Sequence, residues 1–168
     1  VGLGVGVMSG YVRDGDYARL YEINPAVVDI ADRYFTFLPN ARSSGADFEV
    51  LLGDARLTLE RQPPQQFDLL AIDAFSSDAI PSHLLTNEAF ELYFKHLKPD
   101  GVLAVHISNR YVDLVPVCAR SAEHVGKPAR AELVVQVRAF GVVVGVQAVE
   151  DEVQVVAALF RDHVHHGP

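Results

Sequence analysis

The sequence predicts an α/β fold with a mostly parallel sheet, and two observations carry this prediction. Strand-like segments alternate with segments of helical periodicity through the first two thirds of the chain, an order typical of parallel sheets. The segment FDLLAID at 67–73 is also a nearly continuous apolar run. Such runs are typical of strands that are buried on both faces. We therefore expect a parallel sheet covered by helices.

The elements follow from local patterns, beginning at the amino terminus. A stub of a strand ends in the glycine-rich turn VGLGVG at 1–6, and VMSGYV can begin a helix. Glycine turns of this kind usually follow a complete strand, so we interpret the chain as cut inside its first strand. Alternating or continuous apolar runs predict the further strands 17–23, 47–53, 67–73 and 101–108.

Helices are predicted between these strands by periodicity and by end signals. The helix 25–35 has Pro25 in its first turn, and a short helix follows at 55–62. The helix 86–101 has Thr86 as its N-cap and Pro99 near its end. Its apolar face is formed by Ala89, Phe90, Tyr93, Phe94 and Leu97.

The last fifty residues, 119–168, carry weaker signals. VCARSAEHVGK at 117–127 is compatible with a helix, and the Val-rich run 131–160 can supply two strands, with an antiparallel pair as one arrangement. The histidines of the closing HVHHGP are more typical of a solvated tail than of a metal site, so we assign no metal ligands. We treat residues 1–168 as a single domain that is incomplete at its amino end.

Composition narrows the classes of function. An apolar content of 49% and a charged content of 21% are those of an ordinary globular protein. A formal net charge of −8 argues against nucleic acid as a partner and favours a cationic ligand. The single cysteine cannot form an internal disulfide, and no signal peptide or apolar span is apparent. We therefore expect a cytoplasmic protein.

Glycines and acids follow four of the predicted strands. In an open parallel sheet, ligands bind where the carboxyl ends of the strands converge. The first feature is the turn with Gly2, Gly4 and Gly6, where the backbone can approach a ligand closely. The others are Glu22, suited to ribose hydroxyls, then Asp54, and finally the turn with Asp73 and Asp78. Together they predict a nucleoside site with acids beside it.

Each acid also has a purely structural interpretation. Glu22 can be a solvated acid at a strand end, and Asp54 can be the N-cap of the helix after it. Asp78 can cap a turn. Asp73 is harder to explain in this way, because it directly follows the buried run. If Glu22 binds ribose, we expect its side chain at the rim of the site, with little effect on stability.

Five segments resemble, in order, the polyamine aminopropyltransferases (spermidine synthases) and their bacterial synthase-like branch. They are VGLGVG, YEINPAVVDIA, LLGDARLTLE, FDLLAIDAFSSDAIPSHLLT and LKPDGVLAVHISNRY, within residues 1–116. The resemblance implies the Rossmann-like fold of S-adenosylmethionine-dependent methyltransferases, with helices on both faces of the sheet. It also implies that Glu22 holds the ribose, that Asp54 and the amide of Ala55 hold the adenine, and that Asp73 is the catalytic acid.

The implied reaction transfers an aminopropyl group from decarboxylated S-adenosylmethionine to a diamine such as putrescine. The donor is a co-substrate, and no tightly bound cofactor is expected. An alkyl amine, like Lys, has a pKa near 10.4 and arrives protonated. Asp73 and Asp78 are suited to attract the ammonium and to accept its proton, which typically contributes about 10² to 10⁴ in rate.

Two alternatives stay open beside the aminopropyltransferase. One is a methyltransferase of the same fold that uses S-adenosylmethionine itself. The other is a non-catalytic nucleoside- or polyamine-binding domain, since Val5 stands where classical synthases carry an acid in the glycine turn. In either case, a homodimer or a fusion to membrane segments in a longer protein is compatible with the sequence.

Overall fold

The computed structural model of the chain describes residues 1–74, 80–107, 112–134 and 155–160. The chain divides into two compact units, Val1–Pro63 and Pro64–Pro168. Every strand pair in the described residues is parallel, and helices lie between the strands along the chain. The predicted α/β class with a parallel arrangement is therefore confirmed.

The first unit contains a two-stranded parallel sheet. In chain order its elements are β1 (Tyr17–Glu22), α1 (Pro25–Tyr34), α2 (Phe37–Arg42), β2 (Asp47–Leu52) and α3 (Ala55–Arg61). A 3-10 helix, Val7–Tyr11, precedes them. The pairing register runs from Tyr17 opposite Asp47 to Glu22 opposite Leu52, so both strands end at the same level.

The core of the first unit lies between the glycine turn and two helices. Leu3, Ala31 and Leu38 are buried together, and apolar side chains of β1, α1 and β2 pack against them. The helix α2 was not predicted from the sequence, because its six residues are too few to show a helical period. Pro39 in its first turn is compatible with a helix start.

The second unit contains a four-stranded parallel sheet in the order β3-β4-β6-β5. Its strands are β3 (Phe67–Ile72), β4 (Leu97–His106), β5 (Ala129–Val134) and β6 (Val155–Phe160). Its helices are α4 (Asn87–His96) and α5 (Val115–His124), with a 3-10 helix at Ser82–Leu84. Helix α4 has the predicted N-cap, since Thr86 Oγ1 accepts from Ala89 N at 3.3 Å.

Helix α4 ends five residues earlier than predicted, at His96, and β4 begins at once with Leu97. Pro99 disfavours a helical conformation at Lys98, so the chain has to become extended before the proline. The pairing with β3 then shifts register between Phe67 and Leu69. Gly101 lies at this irregularity, where an added Cβ would stand 2.7 Å from the carbonyl oxygen of Phe67.

The carboxyl-terminal strands are parallel to each other, so an antiparallel pair is wrong. Strand β6 pairs in parallel with both β5 and β4. Alternation in a Val-rich run indicates strands but carries no information on their direction. The 20 residues between β5 and β6 exceed the dozen or so that a parallel connection requires.

Candidate functional site

The glycine turn closes over the end of β1. Gly2, Gly4 and Gly6 all have positive φ, at 85°, 53° and 88°. Residues other than glycine are strained in this backbone conformation. The amide of Gly6 donates to the carbonyl of Leu3 at 2.9 Å, which closes the turn. The carbonyl of Gly6 then accepts from the amide and the hydroxyl of Ser9. The predicted turn is therefore present and fixes the start of the following 3-10 helix.

Glu22 ties this turn to the strand end. Its Oε2 accepts from the amide of Leu3 at 2.9 Å, and its Oε1 accepts from the amide of Asn24 at 2.8 Å. Only 7% of Glu22 is exposed. A carboxylate has about four acceptor positions, so two backbone amides leave acceptor capacity for ribose hydroxyls.

The burial of Glu22 corrects two statements made from the sequence. The side chain is not a solvated strand-end acid, and it does not lie at a rim, because it is buried and accepts two backbone amides. Charge-assisted hydrogen bonds of this kind are among the stronger ones. Glu22 therefore helps to hold the glycine turn on β1, whatever it binds.

Asp54 follows β2 and begins helix α3. Its Oδ1 accepts from the amide of Leu57 at 2.9 Å, which makes it the N-cap. Ala55 is the first residue of the helix and is buried. Next to them, the amide of Gly53 donates to the carbonyl of Glu22 at 2.9 Å. The structural interpretation of Asp54 is thus correct, and the cap also fixes the carboxylate beside the end of β1.

Asp73 lies in the second unit, directly after β3. Its Oδ1 is 2.6 Å from Nδ1 of His106, the last residue of β4. The side chain of Asp73 is 55% exposed and that of His106 is 18% exposed. The predicted acid is thus accessible, and it forms a pair with a histidine that sequence reasoning did not single out.

A signal for His106 was nevertheless present in the sequence. The predicted strand GVLAVHIS, which comes next along the chain after FDLLAID, contains a histidine near its end, as FDLLAID ends in Asp73. Ile72 pairs with Val105, so the residues after them stand side by side. The contact can be inferred only if β3 and β4 are known to be neighbours in the sheet, and the sequence pattern does not give the order of the strands.

The remaining predicted residue, Asp78, lies outside the described residues, as do the terminal histidines. Within the described residues, no group of three or more His, Cys, Asp or Glu side chains is arranged to hold a metal ion. Every helix in the described part of the chain falls short of what a bilayer span requires in length or apolar character. The candidate residues are therefore the cluster formed by the glycine turn, Glu22 and Asp54, and the pair formed by Asp73 and His106.

Comparisons with known proteins give partial matches. The chain is 32% identical over 111 residues to a polyamine aminopropyltransferase of Vibrio vulnificus and to an N-terminal histidine N-methyltransferase of Emericella nidulans. It is 29% identical over 87 residues to a probable polyamine aminopropyl transferase of Bifidobacterium longum. The matches cover 63%, 63% and 52% of this chain, in that order, and 36%, 19% and 18% of the relatives.

No protein-family model and no solved structure matches the chain. The matched part of the chain spans about a third or less of the length of each of these curated relatives. The relatives are transferases of two kinds, and the strands of this chain pair in parallel with helices between them. The chain therefore has a Rossmann-like α/β fold of the methyltransferase type.

Proposed function

We propose that this chain acts as an aminopropyltransferase of the spermidine synthase-like type. It would transfer an aminopropyl group from decarboxylated S-adenosylmethionine to an amine of a diamine such as putrescine. One observation carries the proposal beyond a general transferase: an exposed carboxylate, Asp73, directly follows the apolar strand β3 and contacts His106 at 2.6 Å. This combination is suited to an ammonium substrate that has to lose a proton.

The first unit supplies the features expected for the nucleoside. Glu22, Asp54 and the glycine turn are linked through the backbone at the ends of β1 and β2. Ribose hydroxyls can donate to the acceptor capacity that remains on Glu22. By resemblance, Asp54 and the amide of Ala55 would hold the adenine. These roles suit a donor that carries 5′-linked adenosine.

Charge favours the same substrates. The donor is a sulfonium cation and the acceptor is an ammonium, whereas the chain has a formal net charge of −8. Decarboxylated S-adenosylmethionine lacks the carboxylate of S-adenosylmethionine, which nearby acidic side chains would repel. The relatives named as aminopropyltransferases agree with this choice.

Binding of three nucleosides tests the choice of donor. Titration calorimetry should give tighter binding of decarboxylated S-adenosylmethionine than of S-adenosylmethionine, with methylthioadenosine as the reference that lacks the amine. Tighter binding of the carboxylated donor would instead favour a methyltransferase, the function named for the Emericella nidulans relative. Binding without transfer of either group would favour the non-catalytic domain.

Asp73→Asn tests the acid itself. Formation of the aminopropylated product should fall by at least about 10², the loss expected when acid–base catalysis at the amine is disrupted, while affinity for methylthioadenosine stays nearly unchanged. The matched control is Asp68→Asn, since Asp68 lies on the same strand, is 82% exposed and pairs with Lys98 at 2.6 Å. Equal rates for wild type and Asp73→Asn would remove Asp73 from the reaction.

A further inference from the structure

His106 and Asp73 form a pair whose geometry defines the state of the imidazole. The contact joins Nδ1 of His106 to Oδ1 of Asp73 at 2.6 Å. An ionised carboxylate can only accept hydrogen bonds. Nδ1 must therefore carry the proton, and in the neutral ring the lone pair is then on Nε2. The carboxylate thus selects the tautomer in which Nε2 is the basic atom.

We propose that His106, oriented by Asp73, is the group that accepts the proton of the substrate amine. This inference rests on the transferase function proposed above and adds to it a residue and a division of roles. Asp73 would hold the imidazole in its tautomer and attract the ammonium, and Nε2 of His106 would take the proton. The same division of labour between a carboxylate and a histidine occurs in hydrolytic triads.

Base strength favours the histidine over the carboxylate. Reference pKa values are about 10.4 for an alkyl ammonium of the lysine type, about 6.5 for imidazole and about 3.9 for an aspartate side chain. Imidazole is thus a stronger base than carboxylate by more than two powers of ten. General-base efficiency follows base strength, so a reaction that begins with an ammonium gains from the imidazole.

The ends of two adjacent strands bring the two groups together. Both side chains come from residues at the ends of adjacent parallel strands, and Ile72 pairs with Val105 directly before them. On the other side of β4, His106 pairs with Ala158 of β6. The Asp73 carboxylate is thus a charge that the end of the neighbouring strand brings to the imidazole.

The transfer step conserves atoms and charge. Nε2 takes one proton from the ammonium, which leaves a neutral amine and an imidazolium. The nitrogen lone pair attacks the carbon next to the sulfonium, so a C–N bond forms and the C–S bond breaks. The electron pair of the broken bond stays on sulfur as a neutral thioether, and the new secondary amine carries the positive charge. The imidazolium then releases its proton to solvent.

Substitution by Asn separates this role from simple support of Asp73. The amide of Asn can imitate the Nδ1–H donor to Asp73 but offers no base at the position of Nε2. We expect His106→Asn and His106→Gln both to lower aminopropyl transfer by at least about 10², with unchanged affinity for methylthioadenosine. Transfer within a few-fold of wild type in His106→Asn would overturn the proposal, because a donor to Asp73 would then suffice.

A second histidine–carboxylate pair provides the matched control. Nε2 of His124 is 2.7 Å from Oε1 of Glu91, and both side chains are exposed. His124→Asn should leave transfer unchanged. In ¹⁵N spectra of the unliganded wild-type protein, His106 should appear as the Nδ1–H tautomer and His124 as the Nε2–H tautomer, because each carboxylate is bound by a different ring nitrogen.

These readouts distinguish the proposal from the function on which it rests. An Nε2–H tautomer at His106 would overturn the orientation by Asp73 without any assay of transfer. Absence of aminopropyl transfer in the wild-type protein would overturn both the function and the role of His106. Transfer in the wild type that survives in His106→Asn would overturn the role alone.

Discussion

Glu22 and Asp73 are two acids at the ends of parallel strands, but their surroundings differ. Glu22 ends β1 in the first unit, is 7% exposed and accepts two backbone amides. Asp73 follows β3 in the second unit, is 55% exposed and contacts an imidazole. Backbone donors fix a carboxylate as part of the structure, whereas a titratable partner makes it available for proton chemistry. Position in the fold alone therefore does not assign the role of an acid.

The largest difference between the two acids should be in stability. Glu22→Ala leaves the amides of Leu3 and Asn24 without their acceptor, and we expect a loss of about 2–4 kcal/mol in the free energy of unfolding. Asp73→Ala removes an exposed carboxylate and its hydrogen bond to an imidazole, which is typically worth about 1 kcal/mol. Urea unfolding of both variants measures the comparison. Equal losses would contradict the distinction drawn between a structural and a chemical acid.

A smaller effect is expected in nucleoside binding when the shape of Glu22 is kept. Glu22→Gln loses the charge and one acceptor, so methylthioadenosine should bind about 1.5–3 kcal/mol more weakly, the range for hydrogen bonds to charged groups. Glu49→Gln on β2 is the control, because Glu49 is exposed and its Oε2 lies 3.5 Å from Nε of Arg19. Calorimetry in which both variants bind like the wild type would exclude Glu22 from the nucleoside site.

The smallest effect at neutral pH concerns one buried acidic group in each unit. Burial, with a contribution from Tyr17, raises the pKa of Tyr21 to about 12 from its ordinary value of 10.0. Burial raises the pKa of the Cys118 thiol to about 11 from 9.0. Since the folded state favours the protonated form, each group stabilises the fold fully below its ordinary pKa and loses this contribution as the pH rises through the folded value.

The two alkaline windows should therefore be separable. We expect Tyr21→Phe to abolish the part of the stability loss between about pH 10 and 12, and Cys118→Ala to abolish the part between about pH 9 and 11. Neither group should alter the pH dependence below pH 8. Free energies of unfolding measured from pH 7 to 12 provide the test, and a Tyr21→Phe profile identical to that of the wild type would contradict the burial effect.

Much of the fold was predictable because it depends on local patterns. The period of the apolar residues, the proline at the start of α1 and the Thr86 cap of α4 all act within a few residues. The predicted strands 17–23, 47–53 and 67–73 agree with the structure within one residue, whereas the predicted strand stub before the glycine turn is not a strand. The end of α4 was missed because a proline acts on the residue before it, and α2 was missed because six residues are too few to show a period.

The site was predictable in its residue types but not in their environments. Glycines and acids at strand ends were sufficient to select the glycine turn, Glu22, Asp54 and Asp73. The cap formed by Asp54 was one of two stated interpretations, and it is correct. The burial of Glu22 and the contact of Asp73 with His106 were missed, because both depend on residues that are distant in the chain.

The sequence by itself determined the order of the elements apart from α2, the parallel α/β class and the positions of the acids at strand ends. These depend on side-chain periodicity and on backbone preferences that act locally. The tertiary structure alone decided which strands are neighbours, which direction β5 and β6 take and which acid is buried. Pairing of β3 with β4 brings Asp73 and His106, which are 33 positions apart in the chain, into contact. Such a contact exists only after the chain has folded, because no local preference specifies it.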